Sequence, residues 1–318
     1  MPSEFLSYDA YSVLVFTFST VFLLTSLFTT YVILFKTPPS LKAYKIHFFI
    51  LNLWYQIGIF FIGLFGQIDV TFDITNVICV SARGIIQLFG KEAIYMVIFL
   101  TVLSVANIVI TIFFSFLYRY CNVCHSKSWY STSRSWQNLI SGGVTVTVTL
   151  SLSVSILVCT TSYQYDLPND PNHSEICFFT STLLQVLISV VFGYITLVML
   201  SCVIFIFLVV CTLQSKMSQA SKRTKEMQKM LTITLIVSAA LPFIFGALPI
   251  IAAVYATVTR IPEATSVYRI VIFACVLQRL LNTISTVVLV KPYRHALFTF
   301  VRLKSPQTTS ATAITQIR

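Results

Sequence analysis

Seven stretches of this chain are long and apolar enough to cross a lipid bilayer, and they leave little sequence for anything else. They lie at about 11–35, 46–65, 94–117, 138–163, 178–213, 230–255 and 266–290. A helix needs roughly 20 mainly apolar residues to cross about 30 Å of hydrocarbon. Composition agrees: of 318 residues 57% are hydrophobic and only 10% charged, too little polar surface to cover a soluble globule. The expected fold is an all-α membrane protein, a seven-helix bundle in one domain. The fourth stretch alternates apolar and hydroxyl residues from Val144 to Ser155, the period of a strand. A lone strand in lipid leaves its backbone groups without partners, so a helix whose hydroxyls bond back to its own carbonyls is expected instead.

The basic residues orient the bundle. With the N-terminus outside, the four inner segments hold 3, 3, 5 and 5 Lys/Arg, 16 of the 21. The outer segments hold Arg83, Lys91 and Arg260, and Arg269 and Arg279 fall inside the last span. Nine of ten acidic residues lie on the outer side, Glu226 being the exception. This asymmetry obeys the positive-inside rule and places the N-terminus outside. The net charge of +11 is therefore membrane-flanking charge rather than a nucleic-acid footprint. The expected organisation is an outer N-terminus at 1–10, a membrane domain at 11–290, an amphipathic helix on the inner leaflet at 291–304 and a disordered tail at 305–318. With outer segments too short for a folded domain, a ligand must bind among the helices, which suits a small molecule.

Polar residues inside the last span mark the candidate pocket. Cys275, Arg279, Asn282, Thr283 and Thr286 recur at spacings of three and four, with Gln278 beside them, and so form one stripe. Arg279 lies 12 residues before Lys291, roughly 18 Å from the inner border. An Arg at that depth must face the interior and find polar company. No Asp or Glu lies in the core of a span, Glu92 at the outer end of the third being the nearest. Either carbonyls, hydroxyls and internal water satisfy Arg279, or a ligand supplies an acidic group or strong acceptor to Gln278, Arg279, Asn282 and Thr283. Pro242 and Pro249 are candidate hinges in the sixth span, since each removes a backbone donor.

Other motifs carry less. Cys121, Cys124 and His125 match a haem-attachment spacing, but the segment is cytosolic by the charge count and lacks further ligands, so neither metal nor cofactor is expected. Asn172 opens a glycosylation sequon. Cys177 can pair with Cys79, the other cysteine clearly on the outer side, although Cys79 stands 40 residues before Arg119, far for the top of a third helix. The spans carry no paired Asp or metal-binding set for an intramembrane enzyme. A transporter or channel is the leading alternative, and it would call for internal repeats and carboxylates inside the spans.

Several segments, taken in order, resemble one family. Phe35-Lys36-Thr37-Pro38-Pro39-Ser40-Leu41-Lys42, then Lys45 and Trp54, and at the far end Ser285-Thr286 and Pro292-Tyr293-Arg294, resemble class H of the nematode serpentine chemoreceptors. Class D is a close second, on Tyr44 and Ser115-Phe116-Leu117-Tyr118-Arg119-Tyr120. The resemblance runs from about 31 to 303. It implies a G-protein-coupled receptor in the plasma membrane of sensory cilia that detects environmental chemicals and activates a heterotrimeric G protein. Arg119 and Tyr120 at the inner end of the third helix, with Pro292, Tyr293 and Arg294 after the seventh, would carry coupling. The chain departs from the general receptor pattern in having Leu117 and Tyr118 where an acidic neighbour of Arg119 is common.

Overall fold

A computed structural model describes residues 8–38, 41–73, 77–82, 84–124, 134–165, 175–179, 222–259, 261 and 264–303, with 193, 196–197, 200–201, 203–208 and 210–211 from the stretch between. Most of the expected fifth span, Asn172, residues 1–7, the tail and the side chain of Arg119 lie outside the described residues.

The helices are α1 (Tyr8–Phe35), α2 (Lys42–Ile59), α3 (Lys91–Cys124), α4 (Arg134–Tyr163), α5 (Lys222–Pro242), α6 (Leu248–Val258), α7 (Ala264–Leu289) and α8 (Lys291–Leu303). Among the described residues five helical stretches have the length and hydropathy of membrane spans: Asp9–Phe35, Tyr44–Gly66, Glu92–Tyr118, Lys229–Ala256 and Ala264–Leu289. α4 adds a shorter apolar stretch, Leu139–Ser151, and the described residues between 193 and 211 are helical. Helix α1 begins at Tyr8, so the short N-terminus expected at 1–10 gives way to helix earlier than the hydropathy pattern indicated. The alternating segment of α4 is helical, with Thr147, Ser151 and Ser153 donating to the carbonyls of Gly143, Val148 and Thr149.

Three of the four apolar clusters among the described residues position the site. The central one joins Tyr11, Phe22, Tyr55, Ile112, Leu235 and Val276 of five helices. A second gathers Val32, Ile33, Phe48, Leu231 and Val290 around the ring of Tyr293. Outward, Leu24, Leu27, Leu150, Ile251 and Tyr255 are exposed, the lipid-facing surface of an integral membrane protein.

The third cluster lies at the other end and belongs to an element that hydropathy does not reveal, a four-stranded antiparallel sheet in the order β1-β2-β4-β3. Its strands are β1 (Ile68–Asp73), β2 (Val77–Ala82), β3 (Gln164–Tyr165) and β4 (Glu175–Phe179). The segments between the spans were expected to be too short for a folded domain; paired across two loops, they form this small sheet. The register opposes Ile68 to Ala82, Val70 to Val80 and Val80 to Ile176, so these residues share one face, which packs on Ile94 and Val97 of α3. Alternation sends Asp69 and Ser81 to the other face. Gly84 closes the chain back on the π-helical segment Phe60–Gly66 that follows α2, donating to the Gly66 carbonyl at 3.1 Å; a Cβ there would collide with the backbone of Phe65.

A disulfide joins Cys79 of β2 to Cys177 of β4, which are register partners. The long separation of Cys79 from Arg119 has its explanation in the fold, for Cys79 lies on the sheet and residues 85–89 form a 3-10 turn before α3 begins.

Candidate functional site

The polar stripe of α7 faces the bundle interior. Gln278, Arg279, Asn282, Thr283 and Thr286 are all buried, Arg279 to 2% exposure. Burial in the middle of an apolar span requires that each polar atom find a partner, and here several do not. Arg279 Nη1, Asn282 Oδ1 and Thr283 Oγ1 have no hydrogen-bond partner among the described residues. Thr286 donates to the Asn282 carbonyl at 2.8 Å, an ordinary helix back-bond.

Two helices, α2 and α3, close on Arg279. Tyr55 of α2 stands against Arg279, Gln278 and Asn282. One turn on, Gly58 lets the guanidinium approach the α2 backbone: a Cβ there would lie about 2.5 Å from Nη1 and would also overlap Ser104 Oγ of α3. Ser104 donates to the Thr101 carbonyl at 2.8 Å. Glu92, the nearest carboxylate by sequence, is exposed at the start of α3.

Next to the stripe lies a cavity of about 10 Å³, bounded by Thr29, Asn52, Tyr55, Asn282, Thr283 and Thr286 and sized for one water. Asn52 is well held there, since its amide donates to the Ser26 carbonyl at 3.0 Å and to Thr30 Oγ1 at 2.7 Å, and accepts from Ser26 Oγ at 3.0 Å. Asn52 thus joins α1 to α2 by satisfied polar bonds, beside an α7 that leaves Arg279 Nη1, Asn282 Oδ1 and Thr283 Oγ1 without partners among the described residues.

The hinge candidates also adjoin this site. Helix α5 ends at Pro242, the chain widens into a π-helical segment Phe243–Ala247, and α6 resumes with Pro249 inside it. A proline without its amide hydrogen cannot sustain the regular ladder, and the wider turn accommodates the break. Gly246 of this segment faces Gln278, whose Oε1 would lie 3.5 Å from a Cβ placed there.

At the α8 end, the Tyr293 hydroxyl lies 3.0 Å from Thr37 Oγ1, tying the start of α8 to the end of α1. Burial pushes this phenol's pKa up and the Thr37 bond only partly offsets it, so Tyr293 is neutral near pH 7. Pro292 is half-buried and Arg294 exposed. The Tyr120 ring packs on Phe205, centroids 5.8 Å apart. Cys121 is buried and outside any disulfide, and among the described residues no group of three or more potential metal ligands occurs.

Sequence reasoning missed one pair altogether. Arg269 of α7 meets Asp69 of β1 in a bidentate bridge, with Nε to Oδ1 and Nη2 to Oδ2 both at 3.0 Å and both side chains about 5% exposed or less. The two lie 200 residues apart, and only an arginine inside an apolar span hinted that a carboxylate should be sought. Tyr11 adds a second tie, donating to the Ile68 carbonyl at 2.8 Å.

A bundle of apolar helices with an inward polar stripe, a broken α5–α6 and a disulfide-linked sheet at one end accords with what comparison with known families finds. The profile of the serpentine type 7TM GPCR chemoreceptor family Srh matches residues 7–303, nearly the whole chain. No curated protein matches. The chain belongs to the Srh family of serpentine seven-transmembrane G-protein-coupled chemoreceptors.

Proposed function

We propose that this chain is a chemosensory receptor that binds a small molecule among Gln278, Arg279, Asn282 and Thr283, and that ligand binding activates a heterotrimeric G protein. The observation that carries the ligand site is the buried guanidinium of Arg279, whose Nη1 has no partner among the described residues. A carboxylate or comparably strong acceptor on the ligand would complete it, in a medium where such bonds are strong. Contact between Gln278 and the turn around Gly246 supplies a route by which an occupied site shifts α5–α6 at the Pro242 and Pro249 breaks. Arg119, Tyr120, Pro292, Tyr293 and Arg294, all at the opposite end, form the coupling face in this reading.

The receptor sits with its sheet end outside, in the plasma membrane of sensory cilia. The inner excess of Lys/Arg supports this orientation, and so does a disulfide in the sheet, since disulfides persist on the oxidising side of a membrane. Residues 1–10 then face outward with Asn172 open to glycosylation, 11–290 make the membrane domain, 291–304 lie on the inner leaflet and 305–318 form a cytosolic tail. An epitope at the N-terminus should label on intact cells, and one after Arg318 only after permeabilisation; the reverse pattern would overturn the orientation and the coupling face together.

Coupling is tested with cells exposed to a panel of volatile and water-soluble chemicals under a calcium or cyclic-nucleotide readout. Once an agonist is found, Arg119→Ala should abolish signalling while surface expression and agonist binding stay within about twofold of the parent. Normal signalling from a well-expressed Arg119→Ala receptor would reduce Arg119 to a topology charge.

A further inference from the structure

We propose that the groove between α1, α7 and α8 holds one anionic glycerophospholipid, with an acyl chain against the helices and its headgroup at Lys36 and Arg294. A cavity of about 320 Å³ opens there, lined by Leu24, Phe28, Ile284, Val287, Val288 and Leu297. That volume falls in the range of small-molecule sites. Helical spacing builds its walls, since Leu24 and Phe28 stand four apart on α1, Ile284 and Val288 stand four apart on α7, and Leu297 of α8 joins them. Leu24, Ile284 and Val288 are exposed, so the groove opens toward lipid.

The walls offer a ligand hydrocarbon contact. Thr25 and Thr29 also line the groove, but the Thr25 hydroxyl donates to the Val21 carbonyl at 2.9 Å and that of Thr29 to the Thr25 carbonyl at 2.8 Å, so both are engaged within α1. Thr283 borders the water-sized cavity as well. An acyl chain fills such a space without stranding a polar group of its own.

Charge defines the other half of the occupant. The bond between Thr37 and Tyr293 brings together their chain neighbours, Lys36 at the end of α1 and Arg294 in the first turn of α8, and both are exposed. Arg294 also stands three residues before Leu297, on the side of α8 that reaches the groove. Glu226, the one acidic residue in the segments assigned to this side, is engaged with Lys291 at 3.5 Å. A guanidinium and an ammonium beside an apolar groove match a lipid phosphate with net negative charge, whereas a sterol would use neither. This lipid site stands whether or not the chain signals through a G protein.

Phosphatidylserine is the probe and phosphatidylcholine of the same chains its control. Full-length protein, purified and delipidated in detergent, is titrated with each lipid, and bound lipid is counted by intact-complex mass spectrometry. One phosphatidylserine per chain should bind roughly thirtyfold more tightly than phosphatidylcholine, the product of two basic contacts contributing about fivefold each. Lys36→Gln with Arg294→Gln should abolish the preference. Val288→Trp, which fills the groove, should lose the one-to-one phosphatidylserine complex. Glycerophosphoserine, the headgroup without chains, should not displace the bound lipid. Equal binding of the two lipids overturns the proposal, as does an undiminished preference in the double variant, tighter binding of cholesterol, or displacement by glycerophosphoserine. A full one-to-one complex in folded Val288→Trp overturns it too; should that variant fail to fold, the double variant, which changes only exposed side chains, and the headgroup competition decide.

Discussion

Asp69→Asn is expected to destabilise this protein by about 3–5 kcal/mol, the range for breaking a buried ion pair by removing one partner. The reason lies less in the lost attraction than in what stays behind, an Arg269 guanidinium at 4% exposure that has lost the carboxylate bonded to its Nε and Nη2. Arg269→Gln should cost less, because the group it removes is the guanidinium, which cannot shed its charge in the interior. Asp69→Asn with Arg269→Gln should recover a large part of the loss, with an interaction energy of the order of 1–3 kcal/mol in the double-mutant cycle. Thermal melting of the purified variants, together with their surface expression, gives all three corners. Additive losses would mean that the bridge does not hold β1 against α7.

That bridge matters because of what it anchors. The sheet is fixed to α1 through Tyr11 and Ile68, to α3 through the apolar face of Ile68, Val80 and Ile176, and to α7 through Asp69 and Arg269. Helix α7 also carries the candidate ligand stripe. The same helix thus meets the sheet at Arg269 and the irregular turn at Gly246 through Gln278.

The helices were legible in the sequence because lipid imposes a single rule, about 20 apolar residues per crossing, and residues 11–35, 46–65 and 266–290 obey it plainly. The hydroxyl-rich fourth segment was legible for the same reason: its strand-like alternation could not be satisfied in hydrocarbon. The sheet was not. Its strands are two to six residues long, come from two loops far apart in the chain, and depend on pairing between Val77–Ala82 and Glu175–Phe179, which no local pattern announces. Cys79 and Cys177 were the one visible sign, and the distance of Cys79 from the third span obscured it.

The site divides along a similar line. The α7 stripe could be read from helical periodicity, since Gln278, Arg279, Asn282 and Thr283 fall on one side of one helix, and the structure buries all four. What meets them could not. Tyr55 and Gly58 belong to α2 and Ser104 to α3, and nothing in their own neighbourhoods distinguishes them from other residues of an apolar helix. Gly58 is the clearest case: its role is to be absent, and only the position of Nη1 in space reveals it.

Arg279→Gln is expected to reduce the response to an acidic agonist roughly thirtyfold to a few thousandfold, matching the 2–5 kcal/mol lost on truncating one partner of a buried charge pair. Trafficking should be preserved, because the substitution removes a buried cation rather than stranding one. Arg279→Lys keeps the charge but loses the planar fork that grips both carboxylate oxygens, so it should recover only part of the response. The same helix shows what that fork does, since Arg269 grips both oxygens of Asp69 at 3.0 Å. Gly58→Val should resemble Arg279→Gln for a different reason: its side chain would occupy the space of the guanidinium and displace it without altering its charge. Concentration–response curves for an agonist acid and its neutral amide, on receptors matched for surface expression, separate these effects. The acid should lose potency in all three variants and the amide should change little in Arg279→Gln. If Arg279→Gln answers the acid as the parent does, the acidic ligand is wrong and Arg279 is a structural residue of the bundle; if it fails toward acid and amide alike at normal surface levels, Arg279 shapes the active conformation rather than the ligand site.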